Sequence, residues 1–315
     1  MNPRLLEFST GIEGIDNFYL PPYFTMLSLG FILAIFLAYR WAGGHGMNKG
    51  RMIDFGIWMV LWGMVGSKIL HIIADGHFMD YVNVCLDPSK VDWLVDAREC
   101  SALAGIWDAA AGVCHPAKSN CLAWLSGSGF AYYGGLIAAA AFSVYFIRKQ
   151  GWSVGRMCDM GGWTISLGLA WGRMGCTLAG CCFGARSDSP LAIIFPGGSP
   201  ASRHQWQEGL LDSYRLESFP VHPTQVYESF AALVIAAFAY FIVRPNKRFD
   251  GQVFVVTMVM YALARFAIEI VRRDDRGAVL GLSTSQIIAA VIVVICAYLW
   301  PYFKKKSAAV SQISS

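Results

Sequence analysis

Charged side chains are scarce in this sequence, and neither sign dominates. Only 15% of the 315 residues are Asp, Glu, Lys or Arg, whereas an average soluble domain has about 25%. The 25 basic and 21 acidic residues leave a net charge of +4, too small an excess to indicate nucleic acid as a partner. Since 56% of the residues are hydrophobic, the composition is typical of an integral membrane protein.

Two further features are lacking. No cleavable apolar segment precedes the first long hydrophobic stretch, so we expect no secretory signal peptide. The sequence has no internal repeat, which argues against a transporter built from inverted repeats. We expect a single integral membrane domain over residues 1–306, followed by a cytoplasmic tail over 307–315.

Seven stretches of the chain are long and apolar enough to cross a bilayer, which takes about 20 residues of helix. The sequence therefore predicts an all-α membrane protein with seven transmembrane helices. The predicted spans are 23–42, 55–74, 130–147, 160–178, 224–243, 252–271 and 282–303.

Lysine and arginine are concentrated in alternate connections between these spans. The basic segments are 40–51, 148–156, 244–248 and 304–306. Because cytoplasmic loops carry such an excess, we predict an N-terminus outside and a C-terminus in the cytoplasm. The extracytoplasmic side then holds 75–128, 177–221 and 272–281, and we expect 177–221 to be part of an active-site head.

Four of the nine cysteines lie in the predicted outer segment 75–128. They are Cys85, Cys100, Cys114 and Cys121. In an oxidising compartment they can form two disulfides, and the sequence leaves all three pairings open. We expect these bonds to hold the segment together and to take no part in chemistry.

Several ionisable residues fall inside the predicted spans. Each costs about 3 kcal/mol at bilayer depth on insertion scales, so each is a candidate functional residue. They are Lys68, Arg173, Glu228, Arg265 and Glu269, joined by His71 and His222. Most lie towards the predicted outer ends of their helices, which indicates a polar site near the outer membrane face.

The sixth predicted span carries Tyr261, Arg265 and Glu269 at four-residue spacing, so the three share one helical face. An ion pair that only fixes helix packing explains Glu269 equally well. Packing alone explains Arg265 less well, because Arg173 supplies a second guanidinium near the outer face. The resulting excess of positive charge suits an anionic lipid headgroup.

The fifth predicted span opens with a polar run at 222–228. Gln225 and Glu228 are three residues apart and share a face, while His222 lies at the membrane surface, where it can take up a proton. Four polar residues among seven at a helix entrance indicate a site in preference to a simple helix cap.

Six segments form an ordered set of motifs that reaches nearly every predicted span. They are Tyr23 with Gly30-Phe31, Tyr133-Gly134-Gly135-Leu136, Gly172-Arg173-x-Gly175, the run from His222 to Glu228, Tyr261-x-x-x-Arg265-Phe266-x-x-Glu269 with Arg272, and Leu282-Ser283-Thr284-x-Gln286. In this order they resemble the bacterial prolipoprotein diacylglyceryl transferases. The resemblance does not extend to the segment around residues 79–125.

The resemblance implies an enzyme of the bacterial cytoplasmic (inner) membrane whose active site faces outwards. It would transfer a diacylglyceryl group from phosphatidylglycerol to the lipobox cysteine of a prolipoprotein signal peptide, forming a thioether and releasing glycerol 1-phosphate. Membrane lipids would surround it, and we expect a monomer without cofactor or metal. Arg173 and Arg265 would bind the donor phosphate, and the other expected substrate-binding residues are Tyr23, Gly134, Gly135, Gln225, Glu228 and Tyr261.

Several positions depart from the family pattern. Tyr133 stands where the family commonly has a histidine, and Lys68 where it has an arginine. Cys176 and Cys181 replace an asparagine and a glutamate. The catalytic candidates are Tyr133, His222, Arg265 and Glu269, and the general base is left open among all but Arg265.

Two other functions remain as alternatives. One is a paralogue that binds lipid headgroups but uses a different acceptor or is inactive, as the departures above would allow. The other is a membrane redox or metal protein that uses Cys176, Cys181 and Cys182, together with His204. The latter is more remote, because adjacent cysteines are a poor geometry for a tetrahedral zinc site.

Overall fold

The structure, a computed structural model, describes most of the chain. The described residues are 7–8, 18–19, 22–74, 76, 78–93, 97–102, 105–117, 131–272, 278–279 and 282–313. Of the residues discussed above, Cys121 lies outside the described residues, as does most of the predicted connection 272–281.

The described part of the chain is mainly α-helical. Its helices are α1 (Pro22–Gly43), α2 (Lys49–Ala74), α3 (Phe78–Leu86), α4 (Ala97–Ala102), α5 (Tyr132–Lys149), α6 (Val154–Ala179), α7 (Pro200–Gln207), α8 (Thr224–Phe238), α9 (Gln252–Val271) and α10 (Thr284–Ile313). A 3₁₀ turn covers Pro88–Lys90, and a π-helical turn, Ala239–Val243, continues α8.

Strands are short and form three antiparallel pairs in the described residues. They are β1 (Glu7–Phe8) with β2 (Phe18–Tyr19), β3 (Ile106–Asp108) with β4 (Val113–His115), and β5 (Ala278–Val279) with β6 (Leu282–Ser283). The pairs are registered Glu7 to Tyr19, Trp107 to Cys114, and Val279 to Leu282. The predicted seventh span therefore begins two residues late, because Leu282 and Ser283 pair as a strand before α10.

The predicted helical membrane protein is confirmed. The helices long and apolar enough to cross a membrane are Pro22–Gly43, Lys49–Ala74, Thr224–Val243, Gln252–Val271 and Thr284–Ala308. The two remaining predicted spans are also helical, as α5 and α6, with 18 and 26 residues. They are less apolar, because α5 ends in Arg148 and Lys149 while α6 is rich in glycine and contains Arg173.

The chain divides into two compact units, one made of residues 1–53 and 150–315 and the other of Asp54–Lys149. In the first unit α6 is central and packs against α1, α8 and α9, while α10 packs on α9. Glycine allows the close approach of α1 to α6: a Cβ on Gly30 would lie 3.0 Å from the Cβ of Trp171, and one on Gly175 would lie 3.1 Å from the carbonyl oxygen of Tyr23. Small residues serve this purpose in membrane helix pairs.

Both ends of α6 are capped. The side chain of Ser153 accepts a hydrogen bond from the backbone N–H of Arg156 at the first turn. At the other end Gly180 adopts the left-handed conformation (φ 72°), and its N–H bonds back to the carbonyls of Cys176 and Thr177. Glycine takes this conformation without strain, so the chain turns sharply just after the helix.

An ionic cluster ties the start of α6 to the turn before α9. Lys247 Nζ lies 2.8 Å from a carboxylate oxygen of both Asp159 and Asp250. The second oxygen of Asp159 accepts from the backbone N–H of Val253 at 2.9 Å. This buried carboxylate is thus paired and hydrogen-bonded, as a buried charge requires.

The segment between α6 and α8 has a small core of its own. Phe195, Ala201 and Val221 are buried together, with Phe183 packed against them. The side chain of Gln205 on α7 bonds to both the N–H and the carbonyl of Phe219. The predicted outer segment 177–221 is therefore ordered by packing as well as by hydrogen bonds.

In the second unit, α2 and α5 meet at glycines. A Cβ on Gly134 would overlap the backbone of Gly66, and one on Gly135 would overlap the side chain of Ser67. In the same unit Cys100 and Cys114 form a disulfide, and Cys85 is also disulfide-bonded.

Candidate active site

Three helices of the first unit bring charged side chains together. Arg173 on α6 places Nη2 3.0 Å from Oε1 of Glu228 on α8, and the hydroxyl of Tyr261 on α9 donates to the same oxygen at 3.0 Å. Glu228 is only 2% exposed, whereas the side chain of Arg173 is 20% exposed. The buried carboxylate therefore fixes a guanidinium that is still reachable from outside.

Two buried oxygens beside this ion pair accept no hydrogen bond from the described residues: Oε2 of Glu228 and Oε1 of Gln225. Leaving a buried acceptor without a donor costs about 1–3 kcal/mol. The site thus contains two buried acceptors that no donor of the described residues satisfies.

A second arginine lies one turn along α9 from Tyr261. Arg265 forms an ion pair with Glu269, and its Nη2 donates to Ser285 Oγ on α10 at 2.9 Å. The sequence left two explanations for Glu269, an ion pair that fixes helix packing and a role in the site. The structure shows that Glu269 does form an ion pair with Arg265. Arg272, at the end of the same helix, is 5% exposed.

The run from residue 222 holds the turn that follows α6. Thr224 Oγ1 donates to the carbonyl of Cys182 at 2.8 Å, and Gln225 Nε2 donates to the carbonyl of Cys181 at 2.7 Å. Ser229 Oγ donates to the carbonyl of Ala170 at 2.9 Å. The amide N–H₂ of Gln225 therefore fixes the backbone of the turn at Cys181. Its amide oxygen accepts no hydrogen bond from the described residues.

His222 precedes α8 and is half-buried. Its Nδ1 lies 3.3 Å from the hydroxyl of Tyr227. Its backbone N–H donates to Ala185, and its carbonyl accepts from Gly184. His222 is thus held beside Gly184, two residues after Cys182.

Three cysteines converge where α6 ends. The Sγ atoms of Cys176, Cys181 and Cys182 all lie within 4.8 Å of one another, and the group does not include His204. The Cys181 thiol donates to the carbonyl of Cys176 at 3.8 Å. The neighbouring thiols of Cys176 and Cys181, together with the guanidiniums of Arg173 and Arg272, hold the pKa of Cys182 well below the usual thiol range although burial opposes the shift. The pKa of Cys181 is raised by the neighbouring thiols of Cys176 and Cys182 and by burial.

The remaining candidates lie at the edge of this site or in the other unit. Tyr23, at the start of α1, packs its backbone against Gly175. Tyr133 is 49% exposed, and Gly134 is buried against α2. Lys68 lies 4.9 Å from the ring centroid of Tyr81. The substrate-binding roles of Tyr23, Gly134 and Gly135 remain predictions, as does a catalytic role for Tyr133.

The sequence did not single out Thr224 and Ser229 as site residues. Both hydroxyls bond to backbone carbonyls more than 40 residues away along the chain. The sequence pointed to these two hydroxyls only through their position, since both lie in the first two turns of a helix that begins with polar residues. The arginines, Glu228 and Tyr261 were singled out, and the structure brings Arg173, Glu228 and Tyr261 into direct contact.

Comparison with known proteins covers nearly the whole chain. Residues 14–302 match the sequence model described as prolipoprotein diacylglyceryl transferase. A phosphatidylglycerol–prolipoprotein diacylglyceryl transferase 2 of Clostridium perfringens is 29% identical over 272 residues, which cover 86% of each chain. A corresponding transferase of Clostridium tetani is 27% identical over 298 residues (94% of this chain, 95% of the relative). One of Dehalococcoides mccartyi is 28% identical over 285 residues (90% and 89%).

Proposed function

This chain belongs to the prolipoprotein diacylglyceryl transferase family, and we propose that the cluster around Arg173 and Glu228 binds and activates its lipid donor. The reaction transfers the diacylglyceryl group of phosphatidylglycerol to the lipobox cysteine of a prolipoprotein. A thioether forms, and glycerol 1-phosphate is released. This is the first step of bacterial lipoprotein maturation.

One observation carries the assignment of the donor site: the ion pair between Arg173 and Glu228, joined by Tyr261. Charged groups at membrane depth are costly and are retained mainly at functional sites. The ion pair uses one nitrogen of the guanidinium, and the N–H groups of the others remain to contact a phosphate oxygen. Because Glu228 is buried, it fixes the guanidinium from the interior side.

The chemistry requires negative charge to be stabilised on the departing phosphate. The substrate thiolate attacks the diacylglyceryl carbon that carries the phosphate ester, the bond from this carbon to the ester oxygen breaks, and its electron pair leaves on the oxygen of glycerol 1-phosphate. Fixed guanidiniums stabilise charge that develops in such a step. Arg173 is the first of these guanidiniums, and Arg265, fixed by Glu269 and Ser285, is the second.

The glycerol headgroup of the donor carries two hydroxyls. The buried acceptors Glu228 Oε2 and Gln225 Oε1 match them in chemistry, since carboxylate and amide oxygens accept O–H hydrogen bonds. Tyr261 would keep the carboxylate of Glu228 oriented.

The thiol of the incoming peptide must lose a proton. The carboxylate of Glu269 is already engaged by the guanidinium of Arg265. Tyr133 is a tyrosine, which ordinarily donates a proton. We propose His222 as the acceptor, because it is half-buried, its ring contacts the Tyr227 hydroxyl, and within the described residues it forms no buried ion pair.

The membrane topology proposed for this chain has seven spans, including α5 and α6, with the N-terminus outside. The basic connections at 40–51, 148–156 and 244–248 support this orientation. The disulfide between Cys100 and Cys114 suits an outer segment. The active site then faces the extracytoplasmic side of the cytoplasmic membrane, in one domain over 1–306 that acts as a monomer.

The function is tested with membranes that contain the full chain, phosphatidylglycerol and a lipobox peptide. We expect a thioether-linked diacylglyceryl peptide and an equal amount of glycerol phosphate. A chain that binds phosphatidylglycerol vesicles but yields no product would be a lipid-binding paralogue, and the transferase assignment would fail. Reporter fusions after residues 45 and 155 test the orientation, and both are expected on the cytoplasmic side.

A further inference from the structure

The cysteine cluster at the end of α6 has no role in the transfer reaction as described. Cys176 lies in the last turn of the helix, and Cys181 and Cys182 follow the left-handed Gly180. All three are free thiols, and their sulfurs lie within 4.8 Å of one another. Sulfurs bound to one metal ion at about 2.3 Å lie about 3.8 Å apart, so closure round an ion needs a shift of about 1 Å.

The backbone holds these thiols towards each other. Cys182 adopts φ 63°, a conformation that costs a residue with a side chain about 1–2 kcal/mol and persists where surrounding contacts enforce it. Those contacts are the hydrogen bonds from Thr224 and Gln225 to the carbonyls of Cys182 and Cys181. These hydrogen bonds fix the backbone that carries the sulfurs of Cys181 and Cys182.

The charge around the cluster also suits metal-bound thiolates. Three thiolates carry a charge of −3, which Zn²⁺ reduces to −1 and Cu(I) to −2. The guanidiniums of Arg173 and Arg272 lie near Cys182 and favour negative charge on its sulfur. Thiolates are the soft ligands that select Cu(I) and Zn²⁺ over hard cations.

We propose that Cys176, Cys181 and Cys182 form a three-thiolate site for a soft metal ion, either Cu(I) or Zn²⁺. Cu(I) is complete with three sulfur ligands in a plane, whereas Zn²⁺ would add a water or another small ligand as the fourth. Adjacent cysteines suit such a site once Cys182 takes the left-handed backbone, because that conformation brings its sulfur to the other two. The bound ion would fix the turn after α6, next to Arg173.

The test uses the full chain, purified in detergent, with its thiols kept reduced under conditions that leave the Cys100–Cys114 disulfide intact. Zn²⁺ and Cu(I) are added separately against a competing chelator, and bound metal is counted after desalting. We expect one ion per chain, three sulfur ligands by X-ray absorption, and an ultraviolet thiolate charge-transfer band when Cd²⁺ is used. The competition decides which of the two ions is preferred.

Substitution of single cysteines tests which residues bind the metal ion. Cys176→Ser, Cys181→Ser and Cys182→Ser should each weaken binding at least 10-fold. The matched control is the double variant Cys158→Ser/Cys296→Ser, which removes the other two free thiols of the described residues and should bind metal as the parent does. Equal loss in the control would overturn the assignment.

A measurement on the parent chain avoids any folding defect of the variants. Bound Zn²⁺ or Cu(I) should protect all three thiols from alkylation, as read by peptide mass spectrometry, while Cys158 and Cys296 are unaffected by metal. The proposal fails if no ion binds at one per chain, or if two of the three cysteines are joined as a disulfide in the purified chain. Neither readout uses the transfer reaction, so the metal site and the transferase function stand or fall separately.

Discussion

Arg173 and Glu228 form an ion pair across the α6–α8 interface, with Nη2 and Oε1 3.0 Å apart. The exposures of the two side chains differ tenfold, 20% for the arginine and 2% for the glutamate. Because the arginine is the more exposed of the two side chains, the pair presents positive charge to the outside. It is therefore suited to bind an anion, whereas a fully buried pair would serve packing alone.

Glu228→Gln should impair both stability and donor binding. The change removes the charge that holds Arg173 but keeps the shape of the side chain, so the expected loss is about 3 kcal/mol of unfolding free energy, at the low end for a broken buried pair. The apparent KM for phosphatidylglycerol should rise at least 10-fold. Both are measured in detergent, by thermal unfolding and by product formation. Glu217→Gln, at an exposed position, is the control and should leave both unchanged.

Thr224→Val should loosen the cysteine turn. The variant keeps the size of the side chain but leaves the carbonyl of Cys182 without its donor, and such a buried acceptor costs about 1–3 kcal/mol. Thr257→Val is the matched control, because Thr257 bonds only to Val253 within its own helix. Thermal unfolding of the two variants is compared, and a larger loss in the control would contradict the anchoring role.

His222→Gln tests the proton acceptor. Removing a general base typically lowers a rate 10²- to 10⁴-fold, so we expect kcat to fall by about 10²-fold or more while phosphatidylglycerol binding is unchanged. Tyr133→Phe is the comparison, and its effect should be smaller than about 10-fold. The assignment is wrong if the two variants show the opposite order.

The ionic cluster of Lys247 and Asp250 should make stability depend on pH at both extremes. Although burial opposes both shifts, the pairing raises the pKa of Lys247 above 10.5 and lowers the pKa of Asp250 below 3.8. The stabilisation is therefore present between about 3.8 and 10.5, is lost as pH falls through the lowered Asp250 pKa, and is lost again as pH rises through the raised Lys247 pKa.

Lys247→Met measures that contribution. The melting temperature of the parent should exceed that of the variant near neutral pH, and the difference should shrink below pH 3.8 and above pH 10.5. Arg248→Met, at an exposed neighbouring position, is the control and should show no such difference. A constant gap between parent and Lys247→Met across the whole range would show that the cluster does not act through these ionisations.

Charges within apolar stretches were the most informative feature of the sequence. The cost of placing Arg173, Glu228 and Arg265 in a membrane singles them out without any knowledge of packing. Which of them pair is not encoded locally, because the contact between Arg173 and Glu228 depends on how α6 meets α8. Tyr261 and Arg265 share a face as predicted, yet the first bonds to α8 and the second to α10.

Other parts of the site have no periodic signal. Thr224 and Ser229 reach carbonyls on another helix or turn, and a hydroxyl in a first helical turn ordinarily caps its own helix. The approach of Cys182 to Cys176 and Cys181 depends on a backbone conformation unusual for cysteine. The spacing of the three cysteines was visible in the sequence, but their meeting point was not.

The role of Arg173 in donor binding is tested most directly by the transfer rate of Arg173→Ala. The rate is measured with phosphatidylglycerol and a lipobox peptide, and Arg203→Ala, on the exposed surface of α7, serves as the control. We expect transfer to fall at least 10²-fold in Arg173→Ala, to recover partly in Arg173→Lys, and to be unchanged in the control. Transfer by Arg173→Ala at the rate of the parent would contradict the assignment of this arginine to the donor phosphate.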